Sequence, residues 1–219
     1  MSQPVKIDFV SDVVCPWCAI GLQALLRAID RVGDGLQVEL RFQPFELNPD
    51  MPVAGEGIAE HLGRKYGMDA GQLRRNGEAI RQRAAALGFA MDLEKRDRIY
   101  NTFDAHRLLH WAGTLGADAQ RALKLALLRA YHGEGRDVSD AQVLAAVAGE
   151  AGLDAQRAAR VLAADVYADT VRAQERFYRE QGIGAVPSVI FNDRHLVQGG
   201  QPPELFERAL RQLSGIAAA

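Results

Sequence analysis

The spacing of hydrophobic positions changes along the chain, and each change predicts a different element. Residues 5–14 alternate loosely and then turn apolar, which is typical of a strand buried in the middle of a sheet. From Pro16 to about Val32 the apolar residues recur at helical spacing, and Gly33 ends the predicted helix. Residues 36–47 alternate between apolar and polar side chains, which favours a second strand. A short crossover helix between these strands predicts a parallel pair with a right-handed connection.

The middle of the chain, from about residue 56 to 182, is rich in Ala, Leu, Arg and Glu and nearly lacks runs of β-branched residues. Glycines interrupt it at helix-length intervals, and we expect Asp118, Ser139 and Asp154 to cap helices. The predicted helices are 57–66, 69–87, 97–115, 118–132, 139–151, 154–163 and 166–181. This pattern predicts an all-helical block.

Strand signals return after this block. Residues 186–191 form a short apolar run, Asn192 and Asp193 are typical turn residues, and residues 194–198 are predicted to form the second arm of a hairpin. An amphipathic helix is predicted from Pro202 onward.

The order of elements is therefore β-α-β, a helical block, and β-β-α. It favours an α/β fold with one small sheet domain, into which the helical block is inserted. We expect the sheet domain to comprise residues 1–54 and 183–219, and the helical insertion domain to comprise residues 55–182.

Composition and charge exclude several classes of partner. The chain has 219 residues and a net charge of −2, so it has no basic field to attract nucleic acid or an anionic membrane. No segment approaches the roughly 18 continuous apolar residues of a membrane span. Residues 1–6 run straight into the first strand without a signal-peptide pattern. Two cysteines cannot build the disulfide framework of a small secreted domain, so we expect a cytoplasmic protein.

The strongest chemical signal is Cys15-Pro16-Trp17-Cys18, at the junction of the first strand and the first helix. The thiolate is the reactive form of cysteine, and a helix N-terminus stabilises an anion. If Cys15 is the N-cap, Pro16 takes the first helical position, where its fixed φ fits. We interpret Cys15 as the attacking thiolate and Cys18 as the buried resolving thiol.

A packing role or a metal site for the cysteine pair has less support. Free cysteines often behave as small buried hydrophobic residues. A structural zinc site needs about four ligands, whereas the chain has two cysteines and no nearby histidine. His106 and His110 have helical spacing that could bind metal, but no third ligand is evident. The pattern therefore favours redox chemistry, and we expect no metal.

Three segments resemble the DsbA-like branch of the thioredoxin fold and, within it, the cytosolic FrnE-like oxidoreductases. They are Asp12-Val13-Val14-Cys15-Pro16-Trp17-Cys18 with Ile20-Gly21, Asn101-Thr102-Phe103-Asp104-Ala105-His106-Arg107-Leu108, and Gly182-Ile183-Gly184-Ala185-Val186-Pro187-Ser188 with Gly199-Gly200-Gln201-Pro202. The resemblance implies a thioredoxin fold with a large helical insertion. It also implies thiol–disulfide oxidoreductase or isomerase activity on a protein or small-molecule thiol or disulfide.

The same resemblance implies roles for residues outside the cysteine motif. Val186-Pro187 is expected to be a cis peptide facing the cysteines, with the Val186 backbone pairing with substrate; a trans proline opening an edge strand is the alternative. Asn101, His106 and Arg107 are expected to line the substrate cleft. A packing role for these three residues is an equal alternative.

Pro16 and Trp17 lie between the cysteines and are candidate substrate contacts. An exposed Trp17 would form part of a peptide-binding surface, and helix packing is its alternative role.

One position departs from the thioredoxin pattern. Many thioredoxins carry a buried carboxylate six residues before the first cysteine, as proton acceptor for the second; here that residue is Phe9. Glu46 and Asp12 are the candidate replacements, and the proton route from Cys18 stays open.

Two other functions stay open. The same architecture resembles glutathione-dependent 2-hydroxychromene-2-carboxylate isomerases and kappa-class glutathione transferases, which generally carry Ser where Cys15 stands. A peptide-binding or chaperone-like module is the third candidate. We expect no tightly bound cofactor, and expect glutathione as a candidate co-substrate or a thioredoxin-type protein as a candidate redox partner.

Overall fold

The computed structural model describes residues 4–33, 35–52 and 54–216. Residues 1–3, which contributed to the expectation that no signal peptide is present, lie outside the described ranges. The main sheet contains β1 (Val5–Ser11), β2 (Val38–Pro44), β5 (Ser188–Phe191) and β6 (His195–Gln198), and β3 (Glu56–Gly57) pairs with β4 (Arg98–Ile99). The helices are α1 (Pro16–Val32), α2 (Ile58–Tyr66), α3 (Ala70–Ala86), α4 (Phe103–Leu115), α5 (Ala117–His132), α6 (Ala141–Glu150), α7 (Ala155–Ala163), α8 (Ala168–Glu180) and α9 (Pro203–Ser214).

The main sheet has the strand order β2-β1-β5-β6. β1 and β2 are parallel and joined by α1, as predicted, whereas β5 pairs antiparallel with both β1 and β6. The hairpin turn between β5 and β6 contains Asn192 and Asp193, both with positive φ. This arrangement is the thioredoxin fold with additional helices, so the predicted fold class is confirmed.

Each face of the sheet has its own hydrophobic core. On one face Phe9 packs with residues of α1 and α9, and its ring meets that of Phe42 edge-on at 5.9 Å between centroids. The opposite face carries Val10, which clusters with Phe45 of the segment after β2 and with Tyr178 of α8. α1 and α8 therefore cover opposite faces, and β1 is buried between them.

Helices occupy the middle of the chain as predicted, but one boundary is wrong. The predicted helix 97–115 begins only at Phe103, because Arg98 and Ile99 pair with Glu56 and Gly57 in a short ladder. The hydroxyl of Tyr131 also donates to the Arg98 carbonyl at 2.9 Å. Tertiary pairing therefore displaces the start of the helix.

The predicted caps are only partly correct. Asp154 caps α7 by accepting from the Arg157 amide at 2.9 Å. Ser139 does not cap α6; Asp140 does, and the Ser139 hydroxyl bonds to Asp137 instead. Asp118 lies in the first turn of α5 rather than at its N-cap.

The helical segment contacts the sheet at the free edge of β2. Gln120 of α5 binds the backbone of Phe42 on both sides: its carbonyl oxygen accepts from the amide and its NH₂ donates to the carbonyl, both at 3.0 Å. The division into two domains at residues 54/55 and 182/183 stays a prediction. No helix in the described ranges is long and apolar enough to cross a membrane.

Candidate active site

Cys15 is the N-cap of α1, and Pro16 occupies the first helical position. The Cys15 carbonyl accepts from the amides of Cys18 at 3.1 Å and Ala19 at 3.3 Å, which starts the helix. Both cysteines are free thiols; Cys15 is 4% exposed and Cys18 is fully buried. The more accessible thiol is therefore the one at the helix N-terminus, where an anion is stabilised.

The Val186–Pro187 peptide is cis, as the resemblance implied. The Cys15 thiol donates to the Val186 carbonyl at an Sγ–O distance of 3.8 Å, so this loop lies against Cys15. Gly21 of α1 permits the contact, because a Cβ at this position would lie 3.0 Å from Cγ of Pro187. The segment before β5 thus meets the start of α1 at the cysteine pair.

Trp17 is half-buried. Its ring lies 5.3 Å from the Arg83 guanidinium of α3, and a Cβ added to Gly200 would lie 3.1 Å from Cε3 of the indole. Trp17 therefore connects the cysteine motif to α3 and to the loop before α9, while Pro16 beside it remains partly exposed.

The two cysteines differ in electrostatic environment. Burial raises the pKa of Cys18 well above its ordinary value, and the neighbouring Cys15 raises it further. Lys124 and the Asp12 backbone act in the opposite direction. Cys18 therefore stays protonated until something removes its proton.

His132 of α5 holds the loop that leads into the cysteine motif. Its Nε2 lies 3.0 Å from the Val13 carbonyl oxygen, and its Nδ1 lies 3.1 Å from a guanidinium nitrogen of Arg96. Because Arg96 can only donate, Nδ1 is the acceptor and Nε2 carries the proton that is donated to Val13. Burial, reinforced by the Arg96 charge, lowers the pKa of His132 well below its ordinary value, so the ring is neutral.

Asp12 is buried, and its carboxylate is hydrogen-bonded to the backbone. It accepts from the Leu47 amide at 2.7 Å and lies 3.7 Å from Nε2 of His106. Burial acts to raise the pKa of Asp12, but His106, Leu47 and Thr102 outweigh burial and lower it. A carboxylate with a lowered pKa is a weak proton acceptor, which argues against Asp12 as the base for Cys18.

Glu46 is also buried and is paired elsewhere. Its carboxylate contacts the Arg172 guanidinium and accepts a 3.4 Å hydrogen bond from the Asn101 side chain. Burial, together with the neighbouring Glu175, raises the pKa of Glu46 to about 7 despite Arg172. The contacts of Glu46 tie α8 to the start of α4, so Glu46 and Asn101 form a connection between helices.

Arg107 and His106, the other two residues expected in the cleft, are also buried. Arg107 donates to the backbone carbonyls of Val161, Ala164 and Val166 and pairs with Asp104 at 2.7 Å. The Arg107 guanidinium is thus held by the chain around α7, and its expected place in a substrate cleft stays a prediction.

His106 lies between Asp12 and a cavity of about 330 Å³ beside β2, which His110 and Gln174 also line. Its Nε2 has no hydrogen-bond partner among the described residues. The cysteines are not among the residues lining this cavity.

Lys124, which the sequence patterns did not single out, is fully buried in α5. It lies four residues after Gln120 and four before Leu128, both buried, and this helical spacing was the available signal. Among the described residues no group of three or more His, Cys, Asp or Glu side chains is arranged to hold a metal ion.

Comparisons with known proteins agree with this fold. The model of the DSBA-like thioredoxin domain family matches residues 6–211. The crystal structure of a probable DsbA oxidoreductase from Streptomyces coelicolor is 34% identical, with a TM-score of 0.86 over 98% of this chain and 92% of that one.

Two further relatives are more distant. An uncharacterised protein of Bacillus subtilis, YwbO, is 27% identical over 94% of this chain and 96% of its own length. The cytosolic disulfide reductase DsbM of Pseudomonas aeruginosa, solved with glutathione, is 20% identical with a TM-score of 0.63 over 95% of this chain and 98% of that one, and shows the fold alone. With the family model matching nearly its whole length, the chain belongs to the DSBA-like thioredoxin domain family.

Proposed function

We propose that this protein is a thiol–disulfide oxidoreductase that exchanges disulfides through Cys15-Pro16-Trp17-Cys18 by way of a mixed disulfide. The observation that carries the proposal is the position of Cys15: it caps α1, lies 3.8 Å from the Val186 carbonyl before a cis proline, and has the buried Cys18 one turn along the helix. Family membership supports this type of activity.

The reaction proceeds by two exchanges of sulfur. The Cys15 thiolate attacks one sulfur of the substrate disulfide, and the other substrate sulfur leaves as a thiolate and takes a proton from water. Cys18 then loses its proton and attacks Sγ of Cys15, which forms the Cys15–Cys18 disulfide and releases the second substrate thiol. The substrate gains two electrons and the enzyme loses two. The reverse sequence oxidises a substrate dithiol, and attack of another substrate thiolate on the mixed disulfide isomerises the substrate and releases Cys15 without net electron transfer.

The substrate docks against the cis-proline loop, where the Val186 backbone is available beside Cys15. Pro16 and Trp17 border the same surface. We assign the protein to the FrnE-like group and to the cytoplasm, with glutathione or a thioredoxin-type protein returning the cysteines to their starting state. Cytosolic DsbM, which shares this fold and was solved with glutathione, supports the cytoplasmic location and the use of glutathione.

A redox titration in glutathione buffers, followed by thiol alkylation and mass measurement, tests the proposal. We expect a single two-electron transition between dithiol and disulfide. Cys15→Ser is expected to abolish exchange, whereas Cys18→Ser is expected to accumulate the mixed disulfide on Cys15. If the pair stays reduced throughout, or forms single glutathione adducts only, disulfide cycling is not its chemistry.

The second candidate is a glutathione-dependent isomerase related to 2-hydroxychromene-2-carboxylate isomerase. The DsbM structure with glutathione favours a glutathione site in this fold. The cysteine at position 15, where the isomerases generally carry serine, argues against it. Glutathione-dependent isomerisation of a chromene carboxylate that survives Cys18→Ser would replace our first proposal with this one.

A further inference from the structure

Lys124 is fully buried, and its Nζ has no hydrogen-bond partner among the residues that the structure describes. The ring of Phe42 lies close to it, with 6.0 Å between the ring centroid and Nζ. A buried lysine without a partner is costly, and it ordinarily loses its charge to escape that cost. Methionine would fill the same space without this cost, so packing alone does not account for an amine at this position.

The face of α5 that carries Lys124 is fixed at both ends. Gln120 holds the backbone of Phe42 in β2, and His132 holds the carbonyl of Val13 in the loop before the cysteines. Gln120 lies four positions before Lys124 and His132 lies eight positions after it, so the three side chains share one face of the helix. Lys124 therefore lies between β2 and the active-site loop.

Within the described part of the chain, four titratable groups of the surrounding elements interact electrostatically with the Lys124 amine. Cys15 and Cys18 belong to the start of α1, Asp12 to the loop after β1, and His132 to α5 itself. Burial lowers the pKa of Lys124, whereas Cys18, Asp12 and Cys15 act to raise it. His132 is neutral, so it does not compete for the proton.

The carboxylates that could have served Cys18 as a base are absent or engaged elsewhere. The position where many thioredoxins carry a carboxylate is Phe9, which packs edge-on against Phe42 beside the lysine. Asp12 holds the Leu47 backbone and Glu46 pairs with Arg172. The amine near Phe42 thus occupies the region from which the missing carboxylate would act.

We propose that Lys124, as a neutral amine, accepts the proton of Cys18 when the mixed disulfide is resolved. The inference rests on the proposed function and names the base that this function requires. The proton passes from the Cys18 thiol to Nζ, and the resulting ammonium stabilises the thiolate. The thiolate attacks Sγ of Cys15, the bond between Cys15 and the substrate sulfur breaks, and the substrate leaves with that electron pair and a proton from water. The ammonium gives its proton to solvent before the next cycle.

An aromatic nitrobenzoate disulfide separates the two steps, because each step releases one equivalent of coloured thiolate. Attack by Cys15 gives the first phase, and attack by Cys18 gives the second. We expect Lys124→Met to leave the first phase within about threefold of wild type and to slow the second by about 100-fold near neutral pH. Leu128→Met, on the same buried helix face, is the matched control and is expected to leave both phases unchanged.

The pH dependence of the second phase gives the second readout. In wild type we expect the rate of this phase to rise as the Lys124 ammonium loses its proton and then to level off, whereas in Lys124→Met it is expected to keep rising toward the raised pKa of Cys18. Lys124→Gln provides the same two measurements if the methionine variant does not fold. An unchanged rate and an unchanged pH profile of the second phase would show that Lys124 is structural. Absence of the first phase in wild type would contradict the proposed function instead, whereas a normal first phase with an unchanged second phase in Lys124→Met would contradict this inference alone.

Discussion

The His132 ring of α5 lies 3.0 Å from the carbonyl oxygen of Val13, two residues before the reactive cysteine. A side chain from the helical segment therefore fixes the backbone of the active-site loop. Because burial keeps the ring neutral and Arg96 occupies its other nitrogen, the imidazole can hold only this one orientation. The position of Cys15 is thus coupled to the packing of α5.

His132→Phe keeps the ring volume but removes both hydrogen bonds. The Val13 carbonyl is left buried and unpaired, so we expect the free energy of unfolding to fall by about 1–3 kcal/mol. Urea denaturation measures this loss. His195→Phe on exposed β6 is the matched control, and we expect it to stay within about 0.5 kcal/mol of wild type.

The pH dependence of the same variant has a defined sign. The pKa of His132 is lower in the folded protein than its ordinary value of 6.5. Below this pH the unfolded chain therefore binds a proton at His132 that the folded protein does not bind. Wild type therefore loses stability as pH falls below about 6.5. This part of the pH dependence is expected to vanish in His132→Phe, and its persistence would contradict the neutral-ring assignment.

Gly21→Ala tests the contact between α1 and the cis-proline loop. Alanine favours a helix by up to about 1 kcal/mol, but its Cβ would meet the rigid Pro187 ring at 3.0 Å. We expect the steric effect to be the larger one, so that the free energy of unfolding falls by about 1–3 kcal/mol and the first exchange step becomes slower. Gly63→Ala in α2, whose Cβ would make an ordinary 3.5 Å contact, is expected to stabilise the protein. Equal effects of the two substitutions would show that the Pro187 contact is unimportant.

The sequence predicted the elements near the site better than the interactions between them. Local periodicity predicts β1, α1 and β2, and the cysteine spacing identifies the pair that we propose to be reactive. The ladder of Arg98 and Ile99 could not be predicted, because its partner strand lies more than 40 residues away and neither strand has a local signal. A tertiary contact decides that boundary.

Buried charges are the other feature that local patterns conceal. Arg107 and Lys124 both belong to residue types that are almost always solvated, so a charge on a helix is ordinarily assigned to its exposed face. Arg107 is buried because carbonyls of the chain around α7 surround its guanidinium. Lys124 is buried because Gln120 and His132 fix its helix face against β2 and the active-site loop.

Glu46→Gln is expected to change the dependence of stability on pH. The folded pKa of Glu46 is about 7, against an ordinary value of 4.5, so the folded state binds more protons between these values. Wild-type stability therefore falls as pH rises through this window. Between pH 5 and pH 8, we expect the free energy of unfolding of the variant to rise by on the order of 2 kcal/mol relative to that of wild type. Denaturation at several pH values measures the gain, with Glu94→Gln on an exposed loop as the control for loss of one charge.

Lys124→Met is expected to stabilise the protein while it slows the resolving step. Methionine has a similar shape and no unpaired polar atom, so we expect a gain of about 1–2 kcal/mol in the free energy of unfolding. The folded pKa of Lys124 lies below its ordinary value of 10.5, so the unfolded chain binds the extra proton and wild type becomes more stable as pH rises toward that value. The advantage of the variant should therefore be largest at low pH and shrink toward pH 10.5.

Lys95→Met supplies the control at an exposed lysine, with an expected change within about 0.5 kcal/mol. If Lys124 were retained for packing, its replacement would lower both the stability and the activity of the protein. A more stable variant with a slower second phase would instead show that the chain keeps an energetically unfavourable amine for its chemistry. Loss of stability in Lys124→Met at neutral pH together with an unchanged second phase would contradict this role of the amine.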